Sequence, residues 1–382
     1  MRLALHCPSA ADASPMAVAG LPADLAFCHP DIRGVIGIDP VSGQVELEVV
    51  ADTEDLRRQV AGVVALSIRS YRFVGEQAPL WRHEALARYT GRTALDELIA
   101  RHTIELGPGQ YALVGPVARL RMAIDERLRR IADAVAAEPW HLPSIEQTAD
   151  LIPATGYLSS HGQYVTFGYR LPCHFAQLQR FAVAAREQRL ERPELADLEP
   201  TGFILEPFVC HNVYRALRGT AVADGRTITA LGTCYRHEGF RFEPLLRQWE
   251  FSMREVVLVG APGYVTEQRA RCVALTQELA RDLDLDARLE IATDPFFVSE
   301  AASKRTFQAM SSTKLELKLA IDDTASTAAA SFNLHGNQFT APMAIHDGAG
   351  APVETACVGW GLERWLAAIV ARWGADPARW PL

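Results

Sequence analysis

Apolar and polar residues alternate most clearly between positions 228 and 259. Two segments there carry the two-residue period of half-buried strands: Ile228 to Tyr235, and Trp249 to Val259, which turns fully apolar at Val256, Val257 and Leu258. The charged stretch between them, Gly239 to Arg247, holds a Gly and a Pro and predicts a long hairpin loop. Further strands are predicted over 34–38 and 44–50, joined by the turn Asp39-Pro40-Val41-Ser42-Gly43, and over 111–114, 287–297 and 328–333. Another covers 314–322, where Leu315, Leu317 and Leu319 alternate with Lys314, Glu316 and Lys318. A strand opens 201–215, and irregular chain after it presents Cys210. Helical spacing predicts helices over 94–102, 116–137, 174–190 and 264–286, and over 53–71 with Thr53 as its N-cap. In the 116–137 helix, Leu120, Ile124, Leu128, Ile131 and Val135 share one face. Consecutive strands with helices set apart predict an α+β architecture around an antiparallel sheet, not a doubly wound parallel one. Residues 1–105 read as a smaller α+β unit, and 106–382 as the larger domain.

Composition narrows the class. Hydrophobic residues make up 49% and charged residues 22% of 382, as in a soluble globular protein. No apolar run approaches the roughly 20 residues that span a bilayer, and the first 15 residues make a poor signal peptide, so the expected location is the cytoplasm. A net charge of −8 argues against a large nucleic-acid surface. The 174–190 helix and the residues after it concentrate Arg180, Arg186, Arg189 and Arg192; this face reads either as solvated surface or as a docking patch for an acidic partner. Seven irregularly spaced cysteines with no Cys-x-x-Cys pair predict small buried apolar residues rather than disulfides.

Candidate chemistry begins where the first strand of the hairpin ends, at Arg236-His237-Glu238. Arg and Glu two apart on a strand share a face. A guanidinium clamps phosphate through two hydrogen bonds, and Phe251 on the returning strand offers a ring for stacking on a base. The residues alone leave two readings open: a nucleotide site on a sheet, or a surface hairpin with a salt-bridged face. Further on, Gly359-Trp360-Gly361-Leu362-Glu363-Arg364 opens an apolar helix.

In order, these two stretches resemble motifs 2 and 3 of the class II aminoacyl-tRNA synthetases. The long helix leading to Trp140-His141-Leu142-Pro143 is similar to motif 1, the dimerisation element. The stretches TDPFF (293–297), KLELK (314–318), SFNLH (331–335) and TACVGWGLER (355–364) look like one branch of that class. It comprises the atypical seryl-tRNA synthetases of methanogenic archaea and truncated bacterial homologues, the amino acid:[carrier protein] ligases. The resemblance covers about residues 110–375. It implies a class II antiparallel sheet flanked by helices, with ATP and Mg²⁺ as cosubstrate and cofactor. Arg236 would grip the α-phosphate, Glu238 accept from the adenine amino group and Phe251 stack on the base. Arg364 would hold the γ-phosphate with help from Arg247. Glu316 is either a Mg²⁺ ligand or a strand carboxylate paired with Lys314 or Lys318. Asn333 is a substrate contact or a turn residue, and Glu363 is expected as the buried partner of an Arg.

The resemblance also implies Zn²⁺ held by Cys210, Glu255 and Cys357, with an open position for the substrate α-amino group. Sequence spacing alone gives only two scattered cysteines and a strand carboxylate. Two thiolates, a carboxylate and a free position suit a catalytic zinc. The expected reaction is activation of a small amino acid as its adenylate, followed by transfer to the phosphopantetheine thiol of an acyl or peptidyl carrier protein. The alternative is charging of tRNA. The acidic net charge, and an N-terminus without a long coiled-coil arm, favour the carrier protein and make tRNA the less expected acceptor. Against this, the truncated ligases lack so large an N-terminal unit, whereas the atypical synthetases carry one that engages tRNA. A homodimer is implied by motif 1.

Overall fold

The computed structural model describes residues 1–11, 13–71, 78–86, 91–149, 157–187, 198–240, 242–292 and 313–382. Its N-terminal unit is built from β1 (Arg2–His6), α1 (Pro15–Leu25), β2 (Ile32–Asp39), β3 (Gln44–Val49) and α2 (Glu54–Tyr71). The expected hairpin is β2–β3, and β1 adds to it antiparallel, giving the order β1-β3-β2. Thr53 caps α2, its hydroxyl oxygen accepting from the Leu56 amide at 3.1 Å. Leu56, Val60 and Val64 of α2 pack with Leu21, Leu25, Val45 and Leu47 in a separate small core.

Next come β4 (Trp81–His83), α3 (Gly91–His102), β5 (Thr103–Gly107), β6 (Gln110–Leu113), α4 (Pro116–Ala134), β7 (Glu138–Pro139) and β8 (Ile145–Gln147). Then α5 (Tyr157–His161), β9 (Phe167–Arg170), α6 (Phe175–Arg186), β10 (Glu199–Leu205) and α7 (Cys210–Ala216) lead to the central hairpin, β11 (Arg226–Tyr235) and β12 (Glu250–Gly260). The chain closes with α8 (Pro262–Asp282), β13 (Ala287–Ile291), β14 (Lys314–Ala320), β15 (Ser326–Gly336), β16 (Glu354–Gly361) and α9 (Leu362–Trp373).

Eight strands form the main sheet in the order β4-β13-β14-β15-β16-β12-β11-β7, antiparallel except for the β7–β11 pair. Helices α4, α8 and α9 cover one side, burying Leu120, Ile124, Leu128, Trp365 and Ile369 against Val256, Leu258, Val358 and Trp360. Val256 and Leu258 face these helices while Val257 and Val259 face a second cluster around Cys210 and Cys357. This two-sided burial explains why 256–259 is continuously apolar.

Two expectations shift. β4 pairs with β13, and Leu95 and Leu98 of α3 belong to the main core, so β4 and α3, expected in the smaller unit, pack with the large sheet. A division at 105 also cuts the β5–β6 hairpin. The short β4 carries too little periodicity to be read from sequence. Of the seven cysteines, Cys173 is exposed and the other six are buried.

The two units meet at the central hairpin loop. Phe27 makes edge-on contacts with Tyr164 and His237 at centroid distances of 5.4 and 5.9 Å, and Phe240 packs against the N-terminal core. Gly239 has φ +67, and a methyl group there would lie 2.7 Å from the Ala26 carbonyl oxygen, so the chain needs glycine on both counts.

Candidate active site

Cys210 opens α7, while Glu255 and Cys357 stand on the adjacent strands β12 and β16. Cys357 pairs with Val257 and Gly359 with Glu255, so the carboxylate and the thiol are diagonal neighbours on one face. All three are buried, and one ligand atom from each lies within 4.8 Å of the others. Ligands bound at about 2.0–2.3 Å to one tetrahedral ion stand about 4 Å apart, so small adjustments suffice. Glu255 Oε1 accepts from the Val209 amide at 3.4 Å, whereas Oε2 has no partner among the described residues. A buried carboxylate with an unsatisfied oxygen, beside two cysteines, is the donor chemistry a soft divalent cation takes. The donor set therefore fits zinc.

The electrostatics agree with a site built for positive charge. Burial, and then the neighbouring Cys357, push Glu255 up to about 8. A hydrogen bond from Cys210 holds Cys357 well below the usual thiol range, and the same bond pushes Cys210 up. Cys357 Sγ also receives Asn333 Nδ2 at 3.5 Å and lies 3.8 Å from His335 Nε2. Asn333 thus sits beside the sulfur, opposite Cys357 in the β15–β16 register.

The second part of the site lies around the central hairpin. β11 ends at Tyr235, so Arg236 and Glu238 stand just beyond the strand; the Arg236 amide still pairs with the Trp249 carbonyl at 2.9 Å. The Arg236 guanidinium lies over the Phe251 ring at 5.1 Å and donates from Nε to the Pro207 carbonyl at 3.0 Å. Arg247 Nη1 donates to Glu238 Oε2 at 2.8 Å. Arg364, at the start of α9, donates from Nε to Leu246 O and from Nη1 to Ala328 O, both at 2.9 Å. Burial, and then the nearby Arg247, lower Arg364 from its ordinary range. Of the expected nucleotide-binding side chains, Arg236 and Arg364 are thus held by backbone carbonyls, and Arg247 and Glu238 by each other.

Glu363 is buried, receiving Arg121 Nε at 3.3 Å and the Ser252 amide at 3.0 Å, as a structural partner of an Arg does. Glu316 pairs with Lys314 Nζ at 3.1 Å and faces Glu290 across the β13–β14 pair. The helix α6 has no buried residue; Arg180 and Arg186 are exposed, while Arg189 and Arg192, like TDPFF (293–297), lie outside the described residues.

Sequence reasoning passed over three polar groups near the triad, half-buried His335 and buried His211 and Glu206. His335 is two positions after Asn333, a spacing that could have marked it. Fully buried His211, the residue after Cys210, places Nδ1 3.4 Å from Glu146 Oε2. Glu206 is 1% exposed, and burial pushes it up to about 9.

Residues 196–373 match the class II core domain of the tRNA synthetases for Gly, His, Pro, Ser and Thr. This stretch is a class II synthetase core, and the protein has the class II synthetase fold. Within that class, its relatives fall in the branch that the motifs resembled. The chain is 36% identical over 188 residues to amino acid–[acyl-carrier-protein] ligase 2 of Bradyrhizobium diazoefficiens, covering 48% of this chain and 56% of that protein. It is 26% identical over 286 residues to the type-2 serine–tRNA ligase of Methanocaldococcus jannaschii, covering 72% of this chain and 54% of that one. The chain thus spans about half the length of the curated relatives it matches. In structure, it is similar to the M. kandleri SerRS solved in complex with A. aeolicus tRNASec, at a TM-score of 0.68 and 22% identity. That likeness covers 94% of this chain and 73% of the other.

Proposed function

We propose that the protein activates a small amino acid with ATP and passes the aminoacyl group to the thiol of a carrier protein. The observation that carries activation is the meeting of Cys210, Glu255 and Cys357 beside the hairpin that presents Arg236, Glu238 and Phe251. Nucleotide would lie along that hairpin, its base against Phe251 and its amino group toward Glu238. To admit it, the Arg236 guanidinium would exchange part of its contact with the Phe251 ring for phosphate oxygens. Arg364 and Arg247 would take the far end of the polyphosphate. Glu316 is our candidate for the Mg²⁺ that accompanies ATP.

Zinc, held by Cys210, Glu255 and Cys357, would supply a Lewis-acidic position selective for an amine. The carboxylate of the amino acid, bound beside the hairpin, would be brought to the α-phosphorus gripped by Arg236. It attacks in line, the bond to the pyrophosphate oxygen breaks, and an aminoacyl-adenylate results. No protein nucleophile is needed; Arg236 and Arg364 offset charge that develops on phosphate, so catalysis is positioning plus electrostatics. A thiol then attacks the aminoacyl carbonyl and AMP leaves.

The choice of acceptor is supported by the 36% identity to an amino acid–[acyl-carrier-protein] ligase and by the net charge of −8. One observation favours the second reading, a tRNA ligase: the likeness to the SerRS fold covers 94% of the chain and so takes in most of the N-terminal unit. Amino-acid-dependent exchange of pyrophosphate into ATP tests activation in zinc-replete protein. Failure of every amino acid ends this proposal. With exchange in hand, a phosphopantetheinylated carrier protein and total tRNA are offered separately. Acylation of the carrier supports the first reading, and charging of tRNA alone replaces it with the second.

A further inference from the structure

A cavity of about 270 Å³ opens between α3 and the hairpin loop. Its walls include Arg92, Arg247, Arg364 and Glu243, with the backbone of 325–328 as floor. Three arginines line this space of polyphosphate size, and each carboxylate paired with them is held by a single arginine: Glu243 and Asp96 by Arg92, and Glu238 by Arg247. Arg247 and Arg364 were expected at the phosphates from motifs 2 and 3. Arg92 was not: it is the second residue of α3, far outside the matched residues 196–373.

Arg92 is currently tied to Glu243 by an ion pair and to Asp96 by a hydrogen bond of 3.0 Å from Nε. Glu243 is itself fixed to Arg247 through two backbone hydrogen bonds of 2.7 and 2.8 Å. The cavity is thus lined by a carboxylate to which Arg92 already donates. Both partners are more than a third exposed, at 43% and 37%, and an ion pair so wet is weakly held. A polyphosphate carries more charge and more acceptor oxygens than one carboxylate, so it can take Glu243's place.

We propose that Arg92 is a fourth polyphosphate-binding arginine beside Arg236, Arg247 and Arg364, exchanging Glu243 for the terminal phosphates of ATP and for the pyrophosphate product. This rests on the ATP-activation reading, and the tests separate the two. In pyrophosphate exchange, Arg92→Ala raises the KM for ATP and for pyrophosphate about tenfold and leaves the KM for the amino acid and the zinc content unchanged. Arg92→Lys, which keeps charge but loses the fork, falls between. Glu243→Gln lowers the KM for pyrophosphate several-fold, because Arg92 is released from its competitor. If the pair only braces the loop, Arg92→Ala and Glu243→Gln shift KM in the same direction, and the proposal is overturned. A KM for ATP within twofold of wild type in Arg92→Ala overturns it as well. Should the wild-type protein support no exchange, calorimetric binding of inorganic pyrophosphate to the full chain still decides. About tenfold weaker binding by Arg92→Ala supports the site, and equal binding refutes it.

Discussion

Cys357 is the residue on which two jobs converge. Its sulfur sits against Cys210 and Glu255, and it is the atom to which Asn333 Nδ2 and His335 Nε2 point. Replacing Cys357 or Cys210 by alanine is expected to abolish stoichiometric zinc and pyrophosphate exchange together, by metal analysis and assay on the same sample. Retained zinc would break the ligand assignment. Arg236→Ala should lose exchange by two or more orders of magnitude and keep its zinc, since the guanidinium contacts Phe251 and Pro207, not the triad. Glu206 makes a different kind of prediction. Burial pushes its folded pKa up to about 9 from the ordinary 4.5, so between those values the folded protein holds a proton that the unfolded chain releases. The contribution is therefore fully present below about pH 4.5 and is lost as pH rises toward 9. Glu206→Gln should flatten the fall in stability across that window and raise Tm at pH 8, by an amount worth a few kcal/mol. A Tm profile parallel to wild type would show that Glu206 is not protonated in the fold.

At the scale of elements, polar contacts tie the sheet to α4: Arg121 donates to Ser252 Oγ on β12, and Arg254 clamps Asp125. Arg254 on β12 donates to Asp125 from Nε at 2.6 Å and from Nη2 at 2.9 Å, beside a largely apolar core. Asp125→Ala strands a guanidinium that is 7% exposed and should cost about 3 kcal/mol in urea unfolding. Adding Arg254→Leu should recover most of it, and a double variant no better than the single would refute this account. The central hairpin, the α2 cap and the buried face of α4 were all legible in the sequence because each rests on local periodicity or local hydrogen bonding. Glu363 was legible too, because a carboxylate followed at once by a buried helix has few roles other than pairing. What stayed hidden depends on contacts distant in sequence. β4 has three residues and owes its place to β13, about 200 positions later. The convergence of Cys210 on Cys357 could be read only through a family likeness. Nothing in the surroundings of Arg92 in the chain announces a phosphate site.

For the whole molecule, the resemblance of α4 and the segment after it to motif 1 sets an expectation about assembly. Light scattering behind gel filtration should give twice the 42.0 kDa mass of the chain at micromolar concentration. A mass of one chain across that range would remove the dimer from this account. The larger organisation also depends on how the small N-terminal unit leans on the rest. Gly239 belongs to the loop that presents Glu238 and Arg247, yet the surface it touches is the Ala26 carbonyl at the end of α1. The seam between the units thus passes through the working loop instead of a passive linker. Cutting the chain after α2 would leave Phe240 bare and the loop without its backstop, so the larger unit is not a cassette that can be lifted out intact.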